Sequence, residues 1–193
     1  MAIKIYTLAS DVLLNSWLNN LGYNSFALSD TYPSLKPVAK EHPFDFACRI
    51  SSEKMKFLTS KAPINSLLIT TVKVVACGRR IVNIPENLSE ARQILSLLSG
   101  RRHQVLTIIS LKHQDRLKQR EVLTRVSFKR LSEEEIEDYL QTKAWCDQIG
   151  GYDILGRAAS FVKAINGSVG SLWGVPAYEL TSLLAGLKND QRR

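Results

Sequence analysis

The chain is poor in the residues that hold metal ions or form disulfides. It has three cysteines and three histidines, and none of them form a CxxC pair or a zinc-ligand spacing: Cys48, Cys77, Cys146, His42, His103 and His113. An odd number of scattered cysteines is typical of small buried thiols in a reducing compartment. The sequence therefore argues against a disulfide scaffold and a cysteine-based zinc site.

Long apolar runs are lacking as well. The uninterrupted apolar stretches are shorter than about ten residues, too short to cross a bilayer. The first residues show no basic region followed by an apolar run of signal length. We therefore expect a cytoplasmic protein with no membrane partner.

Aromatic residues are few, at 8%, and they are not interleaved with basic residues as in a base-stacking surface. The net charge of +8 favours anionic partners, but the basic residues occur as short pairs such as Arg79-Arg80 and Arg101-Arg102. This distribution favours a solvated surface. Of the functions considered below, nucleic-acid binding therefore has the least support from the sequence.

The length and composition favour one globular domain. A chain of 193 residues, 45% of them apolar, can bury its own core without a covalent staple. We expect residues 1–188 to form that domain and residues 189–193 to form a flexible basic tail.

Hydrophobic periodicity predicts strands alternating with helices. Strands are expected at residues 3–8, 66–76, 79–84, 104–112, 121–130 and 161–165, and helices at 14–21, 45–58, 88–98, 133–140 and 176–187. Residues 25–43 contain three prolines and are predicted as a loop. Asn87 and Ser132 each precede a glutamate by three residues, which is a capping-box pattern. The order predicts an α/β fold with a mixed sheet.

Several segments in register resemble the Maf family of nucleotide pyrophosphatases. They are LSGRRHQVLT at 98–107, FKRLSEEEIEDYL at 128–140, GGY at 150–152, GS at 167–168 and GVPAYE at 174–179. The opening LAS at 8–10 continues the match, so the resemblance covers nearly the whole chain. It implies a twisted mixed sheet flanked by helices, with two lobes around a cleft, as in related ITPase-like folds.

The resemblance also implies a reaction. Family members hydrolyse a nucleoside triphosphate to a monophosphate and pyrophosphate, with a divalent metal such as Mg²⁺ or Mn²⁺, and remove non-canonical nucleotides. They are also linked to septum formation and often form homodimers. The expected partners are thus a nucleoside triphosphate and possible second copies of the chain.

Phosphate-binding positions of the family are only partly kept. Ser10 and Lys54 match a serine of the opening loop and a helix lysine, so the resemblance implies that both bind substrate. The opening arginines are missing, and Asp11 stands in that loop, where we predict a helix cap. Asp30 is the one residue that corresponds to the family's acidic motif.

The position of the family's proposed catalytic base is filled by Val72. The family's A-D-T-V-V corresponds to TVKVV at 71–75, which places Val72 at the aspartate and Lys73 at the threonine. Valine can neither accept a proton nor bind a metal ion. No acidic residue lies between Lys61 and Glu86, so a shift in register would not supply one.

Further polar positions of the family are also replaced. The resemblance places Ile84 at a lysine, Gln148 at a lysine, Leu155 at a glutamine and Ser171 at an asparagine. Residues that shape turns and caps are kept, among them Gly100, Ser132 and Pro176. This pattern predicts an intact scaffold with impaired or lost catalysis.

Three functions therefore remain open from the sequence. The first is a degenerate Maf-like protein with little or no pyrophosphatase activity. The second is an active pyrophosphatase with an altered site built on Asp30, Glu53 and Lys54. The third is a basic protein that binds nucleic acid.

Overall fold

A computed structural model describes residues 4–28, 32–33 and 35–190, with side chains as far as residue 187. Asp30 and residues 191–193 lie outside the described residues. Within the described part the fold is α/β, and the predicted mixed sheet is confirmed.

The structure is organised around one mixed seven-stranded sheet. The strands are β1 (Ile5–Leu8), β2 (Ser25–Leu28), β3 (Leu67–Cys77), β4 (Arg80–Val82), β5 (Arg102–His113), β6 (Arg116–Phe128) and β7 (Val162–Asn166). They lie in the order β2-β1-β3-β5-β6-β7, and β4 pairs with β3. The β2-β1-β3 part is parallel, and the remaining pairs are antiparallel.

Five helices flank this sheet. They are α1 (Val12–Asn20), α2 (Pro43–Lys61), α3 (Leu88–Leu98), α4 (Glu133–Gln141) and α5 (Ala177–Asp190). The Ser132 side chain accepts a hydrogen bond from the Glu135 amide, and the Glu135 carboxylate accepts one from the Ser132 amide, so the capping box is confirmed. No helix among the described residues is long and apolar enough to cross a membrane.

Several elements differ from their sequence-based expectation, and β6 begins at Arg116 rather than at residue 121. The predicted loop at residues 25–43 begins with β2, whose four residues pair in parallel with β1. Helix α2 begins at Pro43 rather than at residue 45, because the His42 ring accepts a hydrogen bond from the Phe44 amide and proline is favourable in the first helical turn. Helix α5 continues to Asp190, while the flexibility of the tail stays a prediction.

Successive side chains of β3 and β5 point to opposite faces of the sheet, so each face carries its own apolar clusters. On one face, α3 and α4 cover Val75 and Val105 at one end, and α1 and α5 cover Ile69 and Ile109 at the other. On the opposite face, α2 places Phe46 and Ala47 against the middle of β3 and β5. A cleft reaches residues of both end clusters, Val75 and Val82 of one and Leu14 and Val175 of the other.

Candidate functional site

The cleft has a volume of about 1020 Å³, which lies at the upper end of the usual range for a small-molecule site. Its lining comes from the start of α1, from α2, from the middle of β3, from the segment between β4 and α3, and from residues 147–149 and 173–175. The structure thus brings together Ser10, Lys54 and Val72, the two predicted substrate-binding residues and the position of the family's base.

One edge of β3 opens onto this cleft. β1 pairs only with Leu67 and Leu68 at the start of β3, and β4 pairs only with the last three residues of β3. Between them, residues 69–74 have no strand partner on that edge in the described sheet, although β5 pairs with them on the other. The Thr71 carbonyl accepts a hydrogen bond of 2.8 Å from Lys54 Nζ on α2.

Lys54 also forms an ion pair inside the cleft. Its Nζ lies 2.9 Å from Asp11 Oδ1, and the two side chains are only 11% and 8% exposed. The lysine therefore already has one anionic and one carbonyl acceptor from the protein itself. A ligand phosphate at Lys54 would have to compete with the Asp11 carboxylate.

The predicted capping role of Asp11 is wrong. Asp11 occupies the N-cap position of α1, but its side chain makes no capping hydrogen bond. Its second carboxylate oxygen, Oδ2, is buried and has no hydrogen-bond partner among the described residues. Residue type favoured the cap, and the cation of Lys54 on a distant helix draws the carboxylate away from the α1 amides.

Val72 lies in an apolar environment. Its side chain is 5% exposed and belongs to a cluster with Phe46, Val74, Leu106 and Ile108. It also contributes to the cleft wall. No group at this position can take a proton from water or ligate a cation.

Lys73 projects from the opposite face of β3 and also lines the cleft. Its Nζ donates a hydrogen bond of 3.3 Å to the Leu172 carbonyl. Burial lowers the pKa of the Lys73 ammonium, and the negative charge of Asp153 opposes that shift only in part. The protein therefore holds a partly desolvated amine beside the position of Val72.

The other substituted positions divide between the cleft and elsewhere. Ile84 lines the cleft, as does Ser10, which is retained and exposed. Leu155 is 60% exposed and does not line the cleft. Ser171 is fully buried, and its hydroxyl lies 2.7 Å from Thr124 Oγ1. Ser171 is thus engaged in holding the segment after β7.

Residues without a motif also contribute to the cleft. Lys36 and Glu86 form an ion pair of 2.8 Å between two of its lining segments, with both side chains largely exposed. Tyr32 lines the cleft, and its hydroxyl is buried without a hydrogen-bond partner among the described residues. The Lys36–Glu86 pair joins residues 50 positions apart, so no local sequence signal identifies it.

The balance of charge in the cleft is opposite to that of the whole protein. The described lining contains three lysines and four carboxylates, Lys36, Lys54, Lys73, Asp11, Glu86, Glu90 and Asp147. The chain as a whole carries +8. The excess of basic residues therefore lies on other surfaces.

The residues present do not fit a divalent metal ion. Among the described residues, no three His, Cys, Asp or Glu side chains lie close enough to hold a metal together. Asp11 and Glu86 are each paired with a lysine, and the Glu90 carboxylate accepts a hydrogen bond from the Glu86 amide. Neither Asp11 Oδ2, which has no partner among the described residues, nor Asp147 belongs to a group of three potential metal ligands.

The chain is similar to known proteins. The chain matches the Maf-like protein family over residues 14–187. A protein of Rhizobium meliloti (strain 1021) named dTTP/UTP pyrophosphatase is 44% identical over 156 residues, which span 78% of this chain and 76% of that protein. A protein of the same name from Wolbachia pipientis subsp. Culex pipiens (strain wPip) is 42% identical over 155 residues, 79% of each chain. One from Ruegeria sp. (strain TM1040) is 39% identical over 148 residues, 77% of this chain and 76% of that protein. The family match begins after Ser10 and Asp11.

Proposed function

The chain belongs to the Maf family, and from this membership we propose that it is a nucleotide pyrophosphatase homologue whose cleft no longer hydrolyses nucleoside triphosphates. The relatives named dTTP/UTP pyrophosphatase support an origin among enzymes that convert a triphosphate to a monophosphate and pyrophosphate. The chain has a cleft of about 1020 Å³, but the described side chains that line it do not supply the groups that this reaction uses.

The observation that carries the proposal is the environment of Val72. Attack of water on a phosphate needs a group that orients or deprotonates the water. The resemblance assigns that role to the position of Val72, and here the position is a 5% exposed apolar side chain against Phe46 and Ile108. The lysine that follows it, Lys73, adds positive charge where a metal ion would be repelled.

The cations of the cleft give the proposal further support. Stabilising a triphosphate requires positive groups that are available to it. Lys54 is paired with Asp11 and Lys36 with Glu86. Lys73 donates to a backbone carbonyl. An ammonium has three N–H donors, so a further contact is geometrically possible, but the charges of Lys54 and Lys36 are already offset by carboxylates.

The alternative of an active, relocated site gains no support from the described residues. Glu53 is 43% exposed, lies near Arg49, and does not line the cleft. Asp30 lies outside the described residues. Of the two described residues in that alternative, Lys54 lines the cleft and Glu53 does not. The homodimer and the cytoplasmic location stay predictions.

A turnover assay tests the proposal. The purified chain and the Rhizobium meliloti relative would be incubated in parallel with dTTP, UTP and a panel of canonical and modified triphosphates, with Mg²⁺ and with Mn²⁺. We expect pyrophosphate release by the relative and none above the heat-denatured control by this chain. Metal-dependent release by this chain, lost in its Lys54→Ala variant, would overturn the proposal.

A further inference from the structure

Two buried polar atoms in the cleft lack a partner among the described residues. They are Asp11 Oδ2, on a side chain only 8% exposed, and the Tyr32 hydroxyl oxygen. Both residues line the same cavity. Polar atoms that are buried in this way are usually satisfied by a partner, and the cost of leaving them unpaired is substantial. A carboxylate oxygen only accepts, while a phenol hydroxyl donates or accepts, so the pair points to a ligand with at least one hydrogen-bond donor.

The charges of the cleft indicate what kind of ligand this is. Asp11 Oδ1 lies 2.9 Å from Lys54 Nζ, at the distance at which a phosphate oxygen would lie from a lysine. The described lining holds four carboxylates and three lysines, so these residues have a net negative balance before any ligand enters. A triphosphate would add several further negative charges to that environment.

The remaining walls are suited to a flat uncharged molecule. Apolar side chains from four segments face the cavity, namely Leu13, Phe46, Ile84, Trp173 and Val175. Small-molecule sites usually combine such a lining with a few polar groups that fix orientation. A nucleoside has the required properties, a flat ring and several hydroxyl and N–H donors without charge.

We propose that the Asp11 carboxylate acts as a built-in anion on Lys54, and that the cleft binds an uncharged pyrimidine nucleoside in preference to its triphosphate. The inference rests on the proposed function for the choice of nucleosides as a class, since the relatives act on dTTP and UTP by name. Lys54 then holds Asp11 in place, and Asp11 Oδ2 accepts a hydrogen bond from the ligand.

Calorimetric titration in EDTA, where no metal-dependent turnover can consume a ligand, tests this inference. Uridine, UMP and UTP would be titrated into the wild-type chain, and thymidine and dTTP in a second series. We expect uridine to bind at least about tenfold more tightly than UTP, a difference of about 1.4 kcal/mol in binding free energy. UMP should lie between them.

Two variants separate the role of Asp11 from the general charge of the cleft. Asp11→Asn removes the built-in anion and frees Lys54, so the affinity for UTP should rise by at least about tenfold while the affinity for uridine falls. Glu86→Gln makes the same change of charge at the exposed Lys36 ion pair of the same cleft. It should change the affinity for UTP by less than about threefold.

Each outcome is decisive for the inference. Equal or tighter binding of UTP by the wild-type chain, or no binding of uridine, would overturn it. Equal effects of Asp11→Asn and Glu86→Gln would also overturn it. If Asp11→Asn does not fold, the wild-type comparison of uridine with UTP decides alone. Hydrolysis in the turnover assay would contradict the proposed function. The titrations in EDTA would still decide whether the cleft prefers the nucleoside.

Discussion

Val72 on β3 and Ile108 on β5 are directly paired in the antiparallel ladder, and both side chains pack beneath Phe46 of α2. The position to which the resemblance assigns catalysis is therefore part of a continuous apolar layer. A carboxylate at this position would face the same neighbours. Val72 thus serves packing in this structure, and its contribution to stability can be measured.

Replacing Val72 with aspartate should destabilise the protein without restoring activity. The new carboxylate would be buried among apolar side chains, so we expect the free energy of unfolding to fall by at least about 2 kcal/mol. Val72→Thr, which has nearly the same shape without a charge, should cost about 1 kcal/mol. Urea unfolding monitored by circular dichroism measures both. Unchanged stability in Val72→Asp would show that the position is open to solvent.

The two ion pairs of the cleft should differ sharply in their effect on stability. Lys54→Met leaves the Asp11 carboxylate buried without its cation, and we expect a loss of about 3 kcal/mol. Adding Asp11→Asn to Lys54→Met removes that charge and should recover part of the loss. Lys36→Met breaks a pair of similar length between exposed side chains and should leave stability unchanged. Equal losses in the two single variants, measured by urea unfolding, would contradict this account.

Acidification should destabilise the fold through His103. Burial lowers the pKa of His103 from 6.5 to about 4, while its Nε2 lies 2.8 Å from the Tyr152 hydroxyl oxygen. Between these two values the unfolded chain binds a proton that the folded chain does not, so stability falls as the pH drops from about 6.5 to about 4. The loss should reach about 3 kcal/mol and be complete below the folded pKa.

The matched variant for this pH effect is His103→Gln. It should be less stable at pH 7 because it disturbs the contacts with Phe128 and Tyr152. Its stability should nevertheless vary less with pH over the same interval, because it carries no titrating ring. Urea unfolding at several pH values measures both slopes. Identical slopes in the two proteins would show that other groups govern the acid sensitivity.

Two glycines with positive φ should respond differently to a methyl group. A Cβ on Gly167 would lie 2.7 Å from Thr124 Oγ1 and 2.9 Å from the Leu123 carbonyl oxygen. A Cβ on Gly78 would meet nothing within 4 Å. We therefore expect Gly78→Ala to cost about 1 kcal/mol from backbone strain alone and Gly167→Ala roughly 3 kcal/mol or more. Thermal unfolding that ranks the two in the opposite order would contradict the packing described for the turn after β7.

The elements with strong local signals could be predicted closely from the sequence. The β-branched run at 66–76 predicted β3 to within one residue at each end, because its burial on both faces demands such residues. β2 could not be predicted, since its burial is slight and its order comes from pairing with β1 and from the stacking of Phe26 on Tyr6 at 5.4 Å. These are interactions with another segment, which no local pattern reports.

The candidate site shows the same division. The alignment of motifs alone placed Val72 at the position of the family's base. The structure adds that its surroundings are apolar. The sequence could not identify Lys54 as the partner of Asp11. The two residues are 43 positions apart, and the packing of α2 against the sheet brings them together. Residue type favoured a helix cap, and the tertiary ion pair proved stronger than that local preference.

The most direct measurement of the central claim is a single-turnover experiment. The chain, in excess over UTP and then over dTTP, would be incubated with Mn²⁺ for many hours, and the monophosphate would be quantified by mass spectrometry. Such conditions detect even one hydrolytic event per molecule. The account predicts monophosphate at the level of the protein-free control. Formation of UMP or dTMP by the wild-type chain but not by Lys54→Ala would contradict it.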